Sequence, residues 1–496
     1  MSKFLKIIHT PTANVAENYA NTYIWEFELK DAESSKFSVY DFLPVSAFST
    51  NLLKNFSDVV QEGVIFEISI PEYKKITDGI DVRWFAKIIK VCGYRALARY
   101  IGASENDKSD FWVNVLSNAV HHCGSVESDD PDQDKVTYGL PFFLAERHEK
   151  DLENFIKTTV DSELTAGIAL SKAYEKCKND LFKSPFKVGQ RLELVDYSQS
   201  DKLRPARIKS ICGRRLNVLV TRDDYDGEWK EQPEDRQLDN EDAEYWIDQD
   251  SFFIFPVGFA TFNGYELNAK REYKKHTENI AKALREGKTP PYHEKDAKPE
   301  QFFKPPIDQA NLAKVKVGQK LELLDPLAVS FNSFRVASVS KILKTPGYIV
   351  VSIDDPEDED LVPVHVTDPY LFPVGYGEKY GIKVEEPKGW ENRFNWGDYL
   401  KKHKAEAMPI DLFKKEPTPE RLAMFKPGSK LEAADMCENQ LVCPASIKEM
   451  KGRIINVHFD GWGPNFDELY DIDSHDIFPV GWCEIHGYVL QRPEET

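Results

Sequence analysis

One heptad-length phrase returns along the chain and restricts what it can fold into. Lys187-Val188-Gly189-Gln190-Arg191-Leu192-Glu193 recurs as Lys316-Val317-Gly318-Gln319-Lys320-Leu321-Glu322 and again as Lys426-Pro427-Gly428-Ser429-Lys430-Leu431-Glu432. Each copy leads within a few residues to an aspartate: Asp196, Asp325 or Asp435. A second phrase closes each unit, as Phe255-Pro256-Val257-Gly258, Phe372-Pro373-Val374-Gly375 and Phe478-Pro479-Val480-Gly481. A degraded first copy opens at Glu62-Gly63-Val64-Ile65-Phe66-Glu67 and closes at His121-His122-Cys123-Gly124. Self-similarity on this scale means an array of like units. Four units fit a chain of 496 residues, for which ordinary domain sizes give three to five.

Between the anchors the pattern is that of short β-strands. Arg207 to Ile211, Leu216 to Val220, Phe334 to Val339 and Arg453 to Phe459 are β-branched, partly alternating and bounded by Gly, Pro or Asp. Each unit is expected to be a small, strongly curved antiparallel barrel closed by its Pro-Val-Gly turn. Before each barrel lies a charged helical arm. Leu152 to Leu181 reads as one or two helices, and Asp398 to Phe413 follows an aromatic face of Trp396, Tyr399 and Leu400. Such arms are too small to hold separate cores, so they are expected to pack on neighbouring barrels and make the array one rigid body. Residues 223–242 and the shorter run Asp354 to Asp360 read as acidic surface loops.

The chemistry is concentrated in the fourth unit. Val457-His458-Phe459-Asp460-Gly461-Trp462 with Phe466 places three rings on one strand and the loop after it, about twenty residues beyond Asp435. Three ring faces and a carboxylate make a box for an alkylammonium ion. Each well-placed ring contributes roughly 0.5–2 kcal/mol of cation–π attraction. The carboxylate accepts the remaining N–H in a charge-assisted hydrogen bond. A methylated lysine is the ligand of that type on a protein surface. Mono- and dimethyl-lysine keep an N–H for Asp435 to accept, whereas trimethyl-lysine has none, so the lower states are favoured. One caged side chain must offset several kcal/mol of association cost, which puts affinity at roughly tens of micromolar or weaker.

Charge and composition narrow the partners. A formal net charge of −19 argues against broad nucleic-acid binding, which draws on clustered Lys and Arg, and suits a basic peptide. Large-surface solubility explains it equally well. No stretch approaches the roughly 20 apolar residues of a membrane span, and the start from Met1 to Thr10 lacks the apolar core of a signal peptide. Seven cysteines form no CxxC pair; Cys437 and Cys443 are close in sequence, yet the odd, scattered set reads as reduced intracellular thiols. His121-His122-Cys123 has no second ligand pair at metal spacing. No nucleophile elbow, phosphate loop or HExxH is present. The chain is expected to have no catalytic residues, no metal and no cofactor.

These phrases resemble the malignant brain tumour (MBT) repeat, a member of the Tudor-like Royal group of barrels. The likeness rests on Gly428 to Asp435, Pro444-Ala445-Ser446-Ile447, Val457 to Trp462 and Ile477 to Cys483, with the arm from Trp396 to Phe413. It is strong in the fourth unit, good in the second and third, and faint in the first. The fold class it implies is mainly β with helical arms: four tandem repeats, each an SH3/Tudor-like barrel with an N-terminal arm. The expected boundaries are an extension over 1–24 and repeats over 25–145, 146–270, 271–386 and 387–496. Three repeats are expected in a propeller-like cluster with the remaining one alongside.

The family's pocket for mono- or dimethyl-lysine uses an Asp, an Asn and three aromatics. Carried over, Asp435 matches the Asp, and Phe459, Trp462 and Phe466 match the cage, while Glu438 falls where the Asn is common. In the second unit Val220 takes the first cage position, with Tyr245 and Trp246 read as structural; in the third it is Ile353, followed by Asp354-Asp355-Pro356. The first unit has Tyr100 but no Trp after Gly102, and its Phe111 and Trp112 read as core. The resemblance implies a nuclear, monomeric reader of methylated histone tails. It implies chromatin-associated repressor proteins as partners, and no membrane or sequence-specific nucleic acid. Two other readings stay open. One is an interaction scaffold of a repressive complex with a vestigial cage; the other is Tudor-like nucleic-acid binding, which predicts steep salt dependence.

Overall fold

The opening phrase of each unit becomes the first strand of a sheet, and the same strand order follows four times. In a computed structural model the described residues are 22–25, 29, 42–48, 56–73, 76–77, 79–127, 136–196, 199–220, 243–303, 305, 308–328, 330–355, 361–390 and 393–493. The acidic run 223–242 and residues 356–360 lie outside them. In the fourth unit Lys430–Ala434, Val442–Lys451, Ile454–Phe459 and Glu468–Asp471 form an antiparallel meander. The short strand Ile477–Phe478 then returns to pair with the first, at Glu432↔Phe478. The other three units share this order. Each second strand carries a register shift at one equivalent place, bulging at Ile89, Lys209, Ser340 and Lys448. An extra residue bends its strand and tightens the twist, which curls five short strands into a half-barrel.

A buried glutamate at the end of each opening phrase holds that barrel shut. Glu432 accepts the N–H groups of Gly481 and Cys483, both at 2.7 Å. Glu193 does the same for Gly258 and Ala260, and Glu322 for Gly375 and Gly377. In the first unit Gly124 N–H donates to Glu67, so the His-His-Cys-Gly run is a true closing phrase. The glycine is needed because the turn takes φ of +84° to +91° at Gly124, Gly258, Gly375 and Gly481, a region that costs other residues a Cβ clash. Burial pushes the Glu193 and Glu432 carboxyls up to about 7 even though these donors pull them down.

The arms do dock on neighbouring barrels, each on the barrel before it in sequence. Ile168 pairs with Val64, Asp296 bridges Arg191 and Ala407 bridges Lys320, all in parallel register. The Trp396 indole donates to Glu322 at 2.6 Å and the Tyr273 hydroxyl reaches Glu193. The N-terminal segment serves the fourth barrel. Phe42 bridges Lys430, and the Trp25 indole donates to Glu432 at 2.9 Å. Helix Trp396–His403 stops short of the predicted Phe413, and Leu152 to Leu181 breaks into short helices with a π-turn at Ile156–Val160.

Repeats two, three and four form a closed cycle through their hairpin tips. The tip of the second touches the closing helix Trp482–His486 of the fourth, where Cys212 Sγ donates to His486 O. The tip of the fourth meets helix Tyr376–Tyr380 of the third, with Arg453 N–H donating to Tyr376. The tip of the third meets helix Phe259–Asn263 of the second through Thr345 and Asn263. Repeat one lies alongside, its tip on the fourth: Tyr94 N–H donates to Val480 O at 2.8 Å, and Asn114 donates to Gly481 O. One apolar cluster runs from Trp25 through Phe66 and Tyr94 to Leu431 and Phe478, fusing repeats one and four. Among the described residues no helix is long and apolar enough to cross a membrane.

The first tip sits hard against its neighbour. Gly93 has φ of +60°, and a Cβ there would lie 2.5 Å from Val480 O. Gly93→Ala is therefore expected to cost about 2 kcal/mol or more, from backbone strain plus a clash with main chain that cannot move aside. Hydrogen exchange would report it as lost protection of the Tyr94 amide, with the sheets inside each barrel still protected.

Candidate functional site

Phe459 ends the third strand of the fourth barrel, and a tight turn hands the chain to Trp462. Trp462 N–H donates to Phe459 O at 3.0 Å, and Gly461 supplies the positive φ of +84° that the turn requires. Asp460 anchors this turn: its carboxylate accepts from Lys430 Nζ and Ser446 Oγ, both at 2.6 Å. The loop then makes a short 3-10 turn, Pro464–Phe466, whose far leg is pinned where Asp467 accepts from His458 (2.7 Å) and Lys448 (2.5 Å). The loop's backbone is thus held by polar anchors on both sides and does not depend on its rings alone.

The rings differ in exposure. Phe459 is buried in the shared core, Trp462 is half-buried against it, and Phe466 stands 50% exposed. Trp462 and Phe466 meet edge to face, with centroids 5.7 Å apart at 74°. Two planes near a right angle form a corner, the geometry of adjoining walls and not of a stacked pair.

Asp435 lies just past the first strand. Its Oδ1 accepts the N–H groups of Cys437 and Glu438, both at 2.8 Å, while Asp435 N–H donates to Leu441 O. One oxygen thus shapes the loop. Glu438 is exposed, and its carboxylate accepts from Gln440. Of the five residues singled out by the sequence, Glu438 is turned to solvent beside its neighbour Gln440.

Beneath Asp435 lies a residue that sequence reasoning missed. Glu468 is buried and accepts from Tyr470 OH (2.5 Å), Met436 N–H (3.0 Å) and the Cys437 thiol (3.3 Å). Burial pushes its carboxyl up to about 7, and the charge of Asp435 adds to the rise. Ligand atoms of Asp435, Cys437 and Glu468 lie within 4.8 Å of one another. The Cys437 thiol is itself pushed up to about 12 by burial and by these carboxylates. Nothing in the local sequence marks Glu468, because its role depends on a loop thirty residues away. All seven cysteines are free thiols, Cys437 and Cys443 included.

The other units use the same positions structurally. Asp196 is buried and accepts from Asn268 at 2.9 Å, and Asp325 caps Leu327 N–H. Val220 and Ile353 are core residues, and Asp354 is tied to Lys320 and Tyr399. Tyr245 and Trp246 belong to the sheet edge, Trp246 packing on Tyr488 of the fourth unit. In the first unit Tyr100 packs on Phe111, Trp112 is buried, and Phe155 from the following arm crowds Gly102. His121 bonds Ser69, and His122 faces Glu175.

The MBT family model (mbt repeat) matches residues 81–129, 190–274, 319–391 and 429–496. Protein lin-61 of Caenorhabditis elegans is 48% identical over 496 residues, covering 100% of this chain and 80% of that protein. Malignant brain tumor repeat protein 1 of the same organism is 34% identical, over 95% of this chain and 86% of its own length. A crystal structure of the four MBT repeats of Drosophila melanogaster Sfmbt, in complex with the peptide RHR(me)KVLR, superposes with a TM-score of 0.76 at 28% identity. That match covers 96% of this chain and 100% of that one. With four matched regions on four like barrels, the chain belongs to the MBT repeat family as a four-repeat member.

Proposed function

We propose that the chain is a non-enzymatic chromatin reader that takes mono- or dimethyl-lysine of histone tails into the fourth repeat. Trp462 and Phe466 form the exposed corner, Phe459 is the inner wall, and Asp435 accepts the ammonium N–H. The observation that supports this is the near-right-angled corner of Trp462 and Phe466 on a loop held by other residues, while the sister positions are filled by core. The four Sfmbt repeats, similar over nearly the whole chain, were crystallised with a methyl-lysine peptide, which supports the same ligand class here. Nuclear residence and a part in transcriptional repression, with repressor proteins as partners, belong to the same proposal. Glu438, turned outward, would add negative charge at the rim and not inside the box. The repeat boundaries near 25, 146, 271 and 387 belong to this reading, each arm counted with the barrel that follows it.

The test is a calorimetric titration of the whole chain with one histone-tail peptide in its un-, mono-, di- and trimethylated forms. Methyl-dependent binding supports the reader. Equal binding of all four forms favours an interaction scaffold. Asp435→Asn separates charge from selection: it is expected to weaken mono- and dimethyl binding by about tenfold, and any trimethyl binding by less. Equal losses for all states would make Asp435 a general charge and not a selector.

A further inference from the structure

A partly open cavity of ≈ 110 Å³ lies where repeats two, three and four meet. The residue two places before the closing Phe of each repeat reaches it: Phe253, Tyr370 and Asp476. Phe253 and Tyr370 pack edge to face with centroids 5.6 Å apart, and Trp246 and Phe331 add further apolar wall. Two acids at its border are already committed. Asp248 pairs with Arg214 and His475, each at 3.3 Å, and Asp476 faces Arg215 at 3.8 Å.

Asp368 is different. It lines the cavity at 1% exposure. Its Oδ1 caps Tyr370 N–H at 2.8 Å, and its Oδ2 has no hydrogen-bond partner. A buried carboxylate oxygen left unmatched is costly, and such an atom marks where a donor is missing. Burial pushes this carboxyl up to about 7, with the charge of Asp471 raising it and Arg453 and Lys414 pulling it down.

Aromatic walls, a thioether from Met436 and one unmatched carboxylate describe a socket for a cation on an alkyl stem. The volume is below the roughly 150 Å³ that holds a benzene ring, so it suits a slender chain and not an aromatic one. Met436 also ties this socket to the methyl-lysine site. It is the residue after Asp435, and the loop from Asp435 to Leu441 borders both, with Asn439 on the cavity side.

We propose that the central cavity is a second subsite, taking an unmodified lysine or arginine side chain of the same basic peptide whose methyl-lysine enters the fourth repeat. The proposal rests on the reader assignment only for the class of peptide. It explains how a pocket that holds one side chain would still distinguish a basic tail from any other methylated segment.

The probes are free dimethyl-lysine, a dimethylated histone-tail peptide, its unmethylated form, and a dimethylated copy whose other Lys and Arg are norleucine and citrulline. Each is titrated into the wild-type chain, Asp368→Asn and Trp462→Ala, with thermal melts to confirm folding. Asn keeps the cap on Tyr370. Asp368→Asn is expected to weaken the basic dimethylated peptide by about tenfold, and to leave free dimethyl-lysine and the neutralised peptide unchanged. Unchanged affinity for the basic peptide, with Trp462→Ala still destroying it, would overturn the subsite and leave the cage standing. Equal weakening of basic and neutralised peptides would also overturn it, since Asp368 would then act through the fold. Binding of the unmethylated peptide that depends on Asp368 but not on Trp462 would support the subsite while removing the cage.

Discussion

Trp462→Ala should abolish methyl-dependent peptide binding while leaving the fold in place. The indole is one side of the only exposed ring corner of the proposed cage, its centroid 5.7 Å from that of Phe466. Truncating a buried aromatic anchor at an interface costs 2 kcal/mol or more, and each 1.4 kcal/mol is tenfold in affinity. From a start at roughly tens of micromolar, that loss carries the dissociation constant to about a millimolar or beyond, where calorimetry sees no binding. The fold should survive because the loop is anchored by other groups. Asp460 is held by Lys430 and Ser446, Asp467 by His458 and Lys448, and the turn itself by main-chain atoms of Phe459 and Trp462. A half-buried side chain leaving such a loop is expected to change stability by about 1 kcal/mol. Unchanged peptide affinity in the folded variant would sink the site assignment.

The contrast between what the sequence showed and what it hid follows from distance along the chain. Phe459, Trp462 and Phe466 share one hairpin and its loop, so their spacing alone sets them near each other. The Pro-Val-Gly phrases were legible because a positive φ demands glycine. The glutamates of the opening phrases were visible as a repeat, but not as the acceptors that close each barrel, since a glutamate in a strand carries no mark of its partner. The direction of the arms was hidden for the same reason. Trp25 and Glu432 are 407 positions apart, and only the folded cycle shows that the N-terminal segment completes the fourth barrel. Glu468 and Asp368 were missed because their chemistry is made by burial, which depends on loops from elsewhere. Glu438 was read from its register with an asparagine, and register does not fix which way a side chain at a loop's rim points.

Arg453 is the residue whose loss should cost the array most. It follows the tip glycine of the fourth repeat, is fully buried, and spans the contact with the third. Its guanidinium donates to Leu371 O at 2.7 Å and to Lys414 O at 3.2 Å, and pairs with Asp471 at 2.7 Å. It also lies 4.3 Å from the centroid of the Phe372 ring, a desolvated cation–π contact. Arg453→Ala would leave carbonyls unmatched, open a cavity and strip Asp471 of one of its two cationic partners among the described residues, Lys414 being the other. Breaking a buried ion pair from one side costs about 3–5 kcal/mol, and the lower end applies because Lys414 stays. Arg453→Met restores most of the volume without the charge, so the gap between the two variants isolates packing from electrostatics. Both should lower the denaturant midpoint, Ala more than Met, and hydrogen exchange should rise first along Ile454–Phe459. The same strand ends at Phe459, so loosening the tip should also weaken methyl-lysine binding without any change in the cage residues. A variant that lost stability but kept full peptide affinity would show that the fourth barrel holds its pocket without help from the third.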